Sequence, residues 1–124
     1  MKPTPSPERG SSTVAAIGII CVLLVLGVTC AGLIGVSTAN HRAAGAADLA
    51  ALAAADAARG LTPGEPCAVA EHVAQANGAQ LGGCGQPAGS SGIVDVRTFV
   101  DISGPFAFLG QAEGLSRAGP PTRP

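Results

Sequence analysis

Residues Val14–Val36 read VAAIGIICVLLVLGVTCAGLIGV, and Ser37–Gly60 follow as STANHRAAGAADLAALAAADAARG. The first stretch decides the fold. No charged residue occurs between Arg9 and His41. As a helix, Val14–Val36 covers about 35 Å, against a bilayer hydrocarbon core of about 30 Å. That is long enough to cross a membrane with some tilt. A soluble protein would have to wrap such a helix, and the rest of the chain is too small to do so. A cleaved signal peptide is the stronger rival. Lys2 and Arg9 make a basic start, and Ser37-Thr38-Ala39 is a small-residue cleavage site. The apolar run, however, far exceeds the usual h-region of about 7–15 residues. We therefore read a permanent anchor. Lys2 and Arg9 flank one end, while Arg42 and Arg59 at the other are diluted by Asp48 and Asp56. This bias predicts a cytoplasmic N-terminus and an extracytoplasmic head at the cell membrane.

The helix is not expected to stop at the membrane. No proline lies between Thr13 and Arg59, alanine is the best helix former, and Gly60 is a natural stop. One helix from Ser12 to Arg59 is predicted, roughly 70 Å long. Its last turns would form a stalk. At about 100° per residue, His41, Asp48, Leu49, Leu52, Asp56 and Arg59 share one arc, and every alanine from Ala43 to Ala58 falls outside it. Gly27, Ala31, Gly35 and Ala39 recur every four residues, a ridge of small side chains that lets another backbone approach closely. These features fit close packing against other helices, and equally a chain in which alanine and glycine are simply abundant. Asp48 and Asp56 read as a solvated stripe, with an i,i+3 pair between Asp56 and Arg59.

Around the helix the composition narrows the function. The chain has 124 residues, a formal charge of −1, 12% charged and 47% hydrophobic residues, and no Trp or Tyr. Mean hydropathy is +0.40, which argues against a fully disordered chain. With no basic block to neutralise phosphates, nucleic acid is not an expected partner. No nucleophile–base arrangement, phosphate loop or metal-binding signature is present. No enzyme activity, cofactor, metal or small-molecule substrate is expected.

From Leu61 the composition shifts to Gly, Pro, Ser and Gln. A head with so few large apolar residues needs a staple. Cys21 and Cys30 lie in the span on opposite helix faces and cannot bridge each other. Cys67 and Cys84 lie in the head, on the side expected to be oxidising, and are predicted to form a disulfide. A second helix is expected from Glu65 to Asn77. Thr62 and Glu65 have capping-box spacing, and Val69, Val73 and Ala76 form its apolar line. Asn77-Gly78 ends it. After the GSSG link (Gly89–Gly92), Ile93–Ile102 alternates as a strand with one apolar face. Its possible partners are Gln80–Cys84 and Gln111–Ala118. Phe106–Leu109 either covers the small core or touches a lipid surface.

The fold class is thus mainly α with a small α+β head: a long N-terminal transmembrane helix, an Ala-rich stalk, a disulfide-stapled helix and a short β-hairpin. The divisions are a cytoplasmic tail over 1–11, the transmembrane helix over 12–40, the stalk over 41–60, the head over 61–118 and a disordered tail over 119–124.

This combination resembles the TadE/TadG-like pilus-assembly proteins, and more narrowly their short actinobacterial branch named for its secretion and helicase gene neighbourhood. The residues carrying the likeness are RGSSTV (Arg9–Val14), NHRAAGAADLAALAAA (Asn40–Ala55), CAVAEHVAQANGAQLGGC (Cys67–Cys84), VDVRTFVDI (Val94–Ile102) and SRAGP (Ser116–Pro120). The resemblance implies a pilin-like subunit of a Tad/Flp-type pilus or secretion apparatus, with the lipid bilayer and other pilin-like or Tad-type membrane subunits as partners. It also implies possible prepilin-type processing between Gly10 and Ser11. Many pilin-like members carry Glu at the fifth mature position, where this chain has Ala15. The alternative function is a small secreted binding protein released by signal peptidase after Ala39.

Overall fold

A computed structural model describes residues 9–121. The sequence-expected tail over 1–11 therefore lies largely outside the described residues, as do Lys2 and the end of the 119–124 tail. The described elements run α1 (Arg9–Ala58), α2 (Pro66–Ala76), β1 (Gln80–Gly85), β2 (Val94–Asp101), a single 3-10 turn (Ala107–Leu109) and β3 (Gln111–Ala118).

α1 is one uninterrupted helix of 50 residues, starting three residues before the expected Ser12. Its end is set by Gly60 in the left-handed region, φ +75°. The Gly60 and Leu61 amides return to the carbonyls of Ala57 and Asp56, a Schellman closure that satisfies the last carbonyls. α2 ends the same way. Gly78 has φ +74°, and the amides of Gly78 and Ala79 bond back to Gln75 and Ala74. Within the apolar half of α1, the Thr29 hydroxyl donates to the Val25 carbonyl at 2.8 Å, so this polar group is satisfied inside its own helix.

The start of α2 corrects the expected capping box. Glu65 is itself the N-cap, accepting from the Ala68 amide at 2.8 Å, and Pro66 occupies the first turn. Thr62 precedes the cap by too much to take part. The buried stripe of α2 is also rotated by one residue from the expected line. Ala70 and Ala74 are buried, Val69 and Val73 are half-buried, and Ala76 is exposed. The seam against α1 is lined by Ala50, Ala51, Ala54 and Ala55, and methyl side chains allow the two helices to approach more closely than valines would.

The three strands form one antiparallel sheet in the order β1-β2-β3. Both candidate partners of the central strand are used, so the expected hairpin is a three-stranded sheet. β2 pairs with β3 in unbroken register from Val94 opposite Ala118 to Asp101 opposite Gln111. β1 pairs with β2 across an irregularity between Leu81 and Gly83. The Phe99 ring lies over Gly82 there, filling the space a side chain would need. Along β2, Val94, Val96, Thr98 and Val100 are buried, as the alternation predicts.

The sheet and α2 pack onto the second half of α1. Two clusters make the core. One joins Ala50, Ala51, Ala54 and Ala55 to Ala70, Ala74, Val94, Val96 and Ala118. The other joins Ala39, Ala43 and Ala46 to Ala79, Val100, Ile102 and Ala112. The stalk is therefore the spine of the head, and most of its alanine face is covered by the chain's own sheet and second helix. His41, Asp48, Leu49, Leu52, Asp56 and Arg59, the six residues of the predicted opposite arc, are all exposed. The expected Asp56–Arg59 pair is not among the ion pairs of the described residues. The Arg59 stem lies instead against Gly92.

Candidate functional site: a packing surface on the long helix

Apart from Cys67 and Cys84, the functional side chains foreseen in the sequence lie along α1, and the helix divides into two halves with different surroundings. From Gly10 through Ala31 every residue is exposed. The most apolar 18-residue window has a mean hydropathy of 2.8 and is only 6% buried, unlike the core helix of a soluble protein. From Gly32 onward the head covers one side. An apolar helix left bare over its first half requires a nonaqueous surrounding or other apolar helices, because each exposed Leu, Ile or Val forfeits about 1.5–3 kcal/mol of burial.

The four-residue ridge crosses this division. Gly27 has nothing within 4 Å of where a side chain would begin, and Ala31 is exposed. Gly35 is half-buried beneath the Ser103 carbonyl, and Ala39 is buried in the second core cluster. Gly27 and Ala31 are thus open to a second helix, whereas Gly35 and Ala39 are already engaged by the head. Sequence reasoning missed Gly32, which is buried under the Phe106 ring: an added Cβ would lie within 2.5 Å of it. Its position between two ridge residues gave no signal, since the contact comes from a loop more than 70 residues later in the chain.

Gly10 and Ser11 lie exposed in the first turn of α1, and Gly10 has open space around it. Cys21 and Cys30 are free and exposed on the bare apolar half of α1. Cys67 and Cys84 are disulfide-bonded with Cα atoms 5.7 Å apart, joining the start of α2 to β1.

Helix and sheet meet most closely at Ala43. The buried Thr98 hydroxyl donates to the Ala43 carbonyl at 2.7 Å. Gly114, paired with Thr98 across the sheet, lies against the same carbonyl. The outer face of the sheet carries an open groove of about 550 Å³ bordered by Gly83, Asp95, Arg97, Leu115 and Arg117. Its charges are matched. Arg97 pairs with Glu113 at 2.9 Å, and Arg117 makes a two-point contact with Asp95, including Nη2 to Oδ2 at 2.8 Å. The Arg117 hydrogen bond holds the Asp95 carboxyl below the usual carboxylate range, and that bond in turn raises the Arg117 guanidinium. Among the described residues no three His, Cys, Asp or Glu side chains gather in one place.

One helix long and apolar enough to cross a membrane, exposed over its first half and built into a small disulfide-bonded α+β head over its second, defines the class of protein. The family model described as putative Flp pilus-assembly TadE/G-like matches residues 10–57. That match coincides with α1 almost end to end, so the likeness to Flp pilus-assembly TadE/G-like proteins lies in the long helix. No curated protein and no solved structure matches the chain.

Proposed function

We propose that this chain is a non-enzymatic, single-pass, pilin-like subunit, structural or accessory, of a Tad/Flp-type pilus or secretion apparatus. Its N-terminus is cytoplasmic and its head extracytoplasmic, and it works by packing its span against other pilin-like or Tad-type membrane subunits. The observation that carries this reading is the two-sided character of α1. The TadE/G-like helix is bare and apolar over Gly10–Ala31 while its alanine half is consumed internally by the head. A partner helix is therefore sought along the membrane half, where Gly27 and Ala31 keep the small-residue approach open.

The secreted alternative fits the fold less well. Cleavage after Ala39 would remove Ala39 and Val36 from the second core cluster. It would also remove Gly32 and Gly35, on which Phe106 and Ser103 rest. Processing between Gly10 and Ser11 leaves the whole head intact and stays part of the proposal.

Cysteine crosslinking in native membranes tests the packing face. Gly27→Cys and Ala31→Cys, made with Cys21 and Cys30 replaced by serine, should give helix–helix adducts with the same chain or a neighbouring subunit. Adducts confined to the opposite face, at Val22→Cys and Val25→Cys, would refute the ridge as the contact.

A further inference from the structure

The connection from β2 to β3 forms the end of the head nearest the span. Residues 102–110 read ISGPFAFLG, and the first formal charges on either side are Asp101 and Glu113. The loop is fastened to α1 at two points. The half-buried Phe106 ring covers Gly32, and the Ser103 carbonyl lies against Gly35. Phe106 and Phe108 meet edge to face, with ring centroids 6.0 Å apart at 78°.

These contacts fix the height of the loop along the helix. Gly32 lies about 27 Å beyond Val14 at helical rise, and Gly35 about 32 Å. A hydrocarbon core is about 30 Å thick. The loop is therefore held where an anchor starting at Val14 would leave the lipid. The helix at this level presents Leu33 and Ile34, 59% and 67% exposed, and the loop docked on Gly32 and Gly35 presents Phe108 at 80% and Leu109 at 57%. The chain has no Trp or Tyr, and two of its three phenylalanines are in this loop. Trp and Tyr, which concentrate at membrane–water interfaces, are absent, so the rings at this level are the purely apolar Phe106 and Phe108.

We propose that residues 102–110 form a lipid-contact loop. Phe108 and Leu109 enter the bilayer interface beside the end of the span, and through Phe106 on Gly32 they set the depth and tilt at which the head sits. This rests on the reading of Val14–Val36 as membrane-spanning. The occupant is lipid rather than protein because the exposed loop residues continue the apolar surface of the anchor at the thickness of one bilayer.

The absence of tryptophan allows a direct test on the full chain, disulfide intact, in phosphatidylcholine–phosphatidylglycerol vesicles. Phe108→Trp and Leu109→Trp each place one fluorophore at the loop. Leu24→Trp reports the span and Leu115→Trp the outer face of the sheet. Expected at both loop positions are a blue-shifted emission, quenching by acyl chains brominated near the headgroup, and protection from acrylamide. Leu115→Trp should show none of these. Water-exposed emission from both loop variants, with Leu24→Trp quenched by brominated lipid, overturns the loop proposal while the span reading stands. An unquenched Leu24→Trp overturns both. Loop emission that is blue-shifted, insensitive to brominated lipid and dependent on protein concentration assigns the surface to a second copy and also overturns the proposal.

Discussion

Gly114 illustrates how little space separates the sheet from the helix. A Cβ there would collide with the Ala43 carbonyl and come within 2.8 Å of the Ala44 amide, both rigid backbone. Gly114→Ala is expected to destabilise the head by about 1–3 kcal/mol through overpacking. Gly45→Ala, three residues along the helix from Arg42 with open space around it, should instead stabilise by about 0.5–1 kcal/mol. Denaturant unfolding in detergent, followed by the loss of sheet signal, should give these opposite signs. The Asp95–Arg117 pair adds a pH dependence. Because Arg117 lowers the Asp95 carboxyl in the folded state, the pair's contribution is present above the ordinary carboxylate value of about 4 and is lost as pH falls through the lower folded value. Both side chains are largely exposed, so the effect is small and screened by salt. Asp95→Asn should remove that part of the acid-side decline and leave stability above pH 7 slightly reduced, as a melting series across pH would show.

At the level of elements, the disulfide between α2 and β1 compensates for a core made largely of methyl groups. Alanine buries little apolar area, so the two clusters contribute less per residue than a leucine core would. The Cys67–Cys84 bridge spans a sequence separation of 17, and closing a loop of that length contributes about 3 kcal/mol in the chain-entropy model. Cys67→Ala with Cys84→Ala should lower the unfolding free energy of the head by roughly that amount while leaving the helicity of the span unchanged. Thiol alkylation of the unreduced protein should modify only Cys21 and Cys30. The second helix was legible in the sequence as an element, yet its buried line was not. The hydropathy of Val69 and Val73 outweighs that of Ala70 and Ala74, and only the closeness of α1 selects the smaller side chains for the seam.

On the scale of the whole molecule, α1 has two differently covered halves and no hinge between them. Its first half is exposed and apolar, and its second half is the wall on which the head is assembled. The head is thereby built on the same continuous helix as the bare apolar half, and a chain beginning at Asn40 should be impaired. Loss of Ala39 and the half-buried Val36 removes on the order of 1–2 kcal/mol of apolar contact, and residues 102–112 lose their support. Hydrogen exchange in that segment should quicken roughly tenfold relative to the full chain in detergent, while the α2 seam stays protected.

The linear pattern alone determined the long helix, its glycine stop, the exposed arc from His41 to Arg59, the alternation of β2 and the cysteine pairing. Each of these depends on local propensity, on periodicity along one element or on which cysteines lie outside the long apolar helix. What covers the alanine face was decided by the tertiary structure. A face of small side chains permits close approach by any partner, and its composition does not distinguish a neighbouring subunit from the chain's own sheet. The same holds for Gly32 and Gly35. Their role depends on Phe106 and Ser103 arriving from the far end of β2, a contact between residues distant in sequence that no helical period encodes.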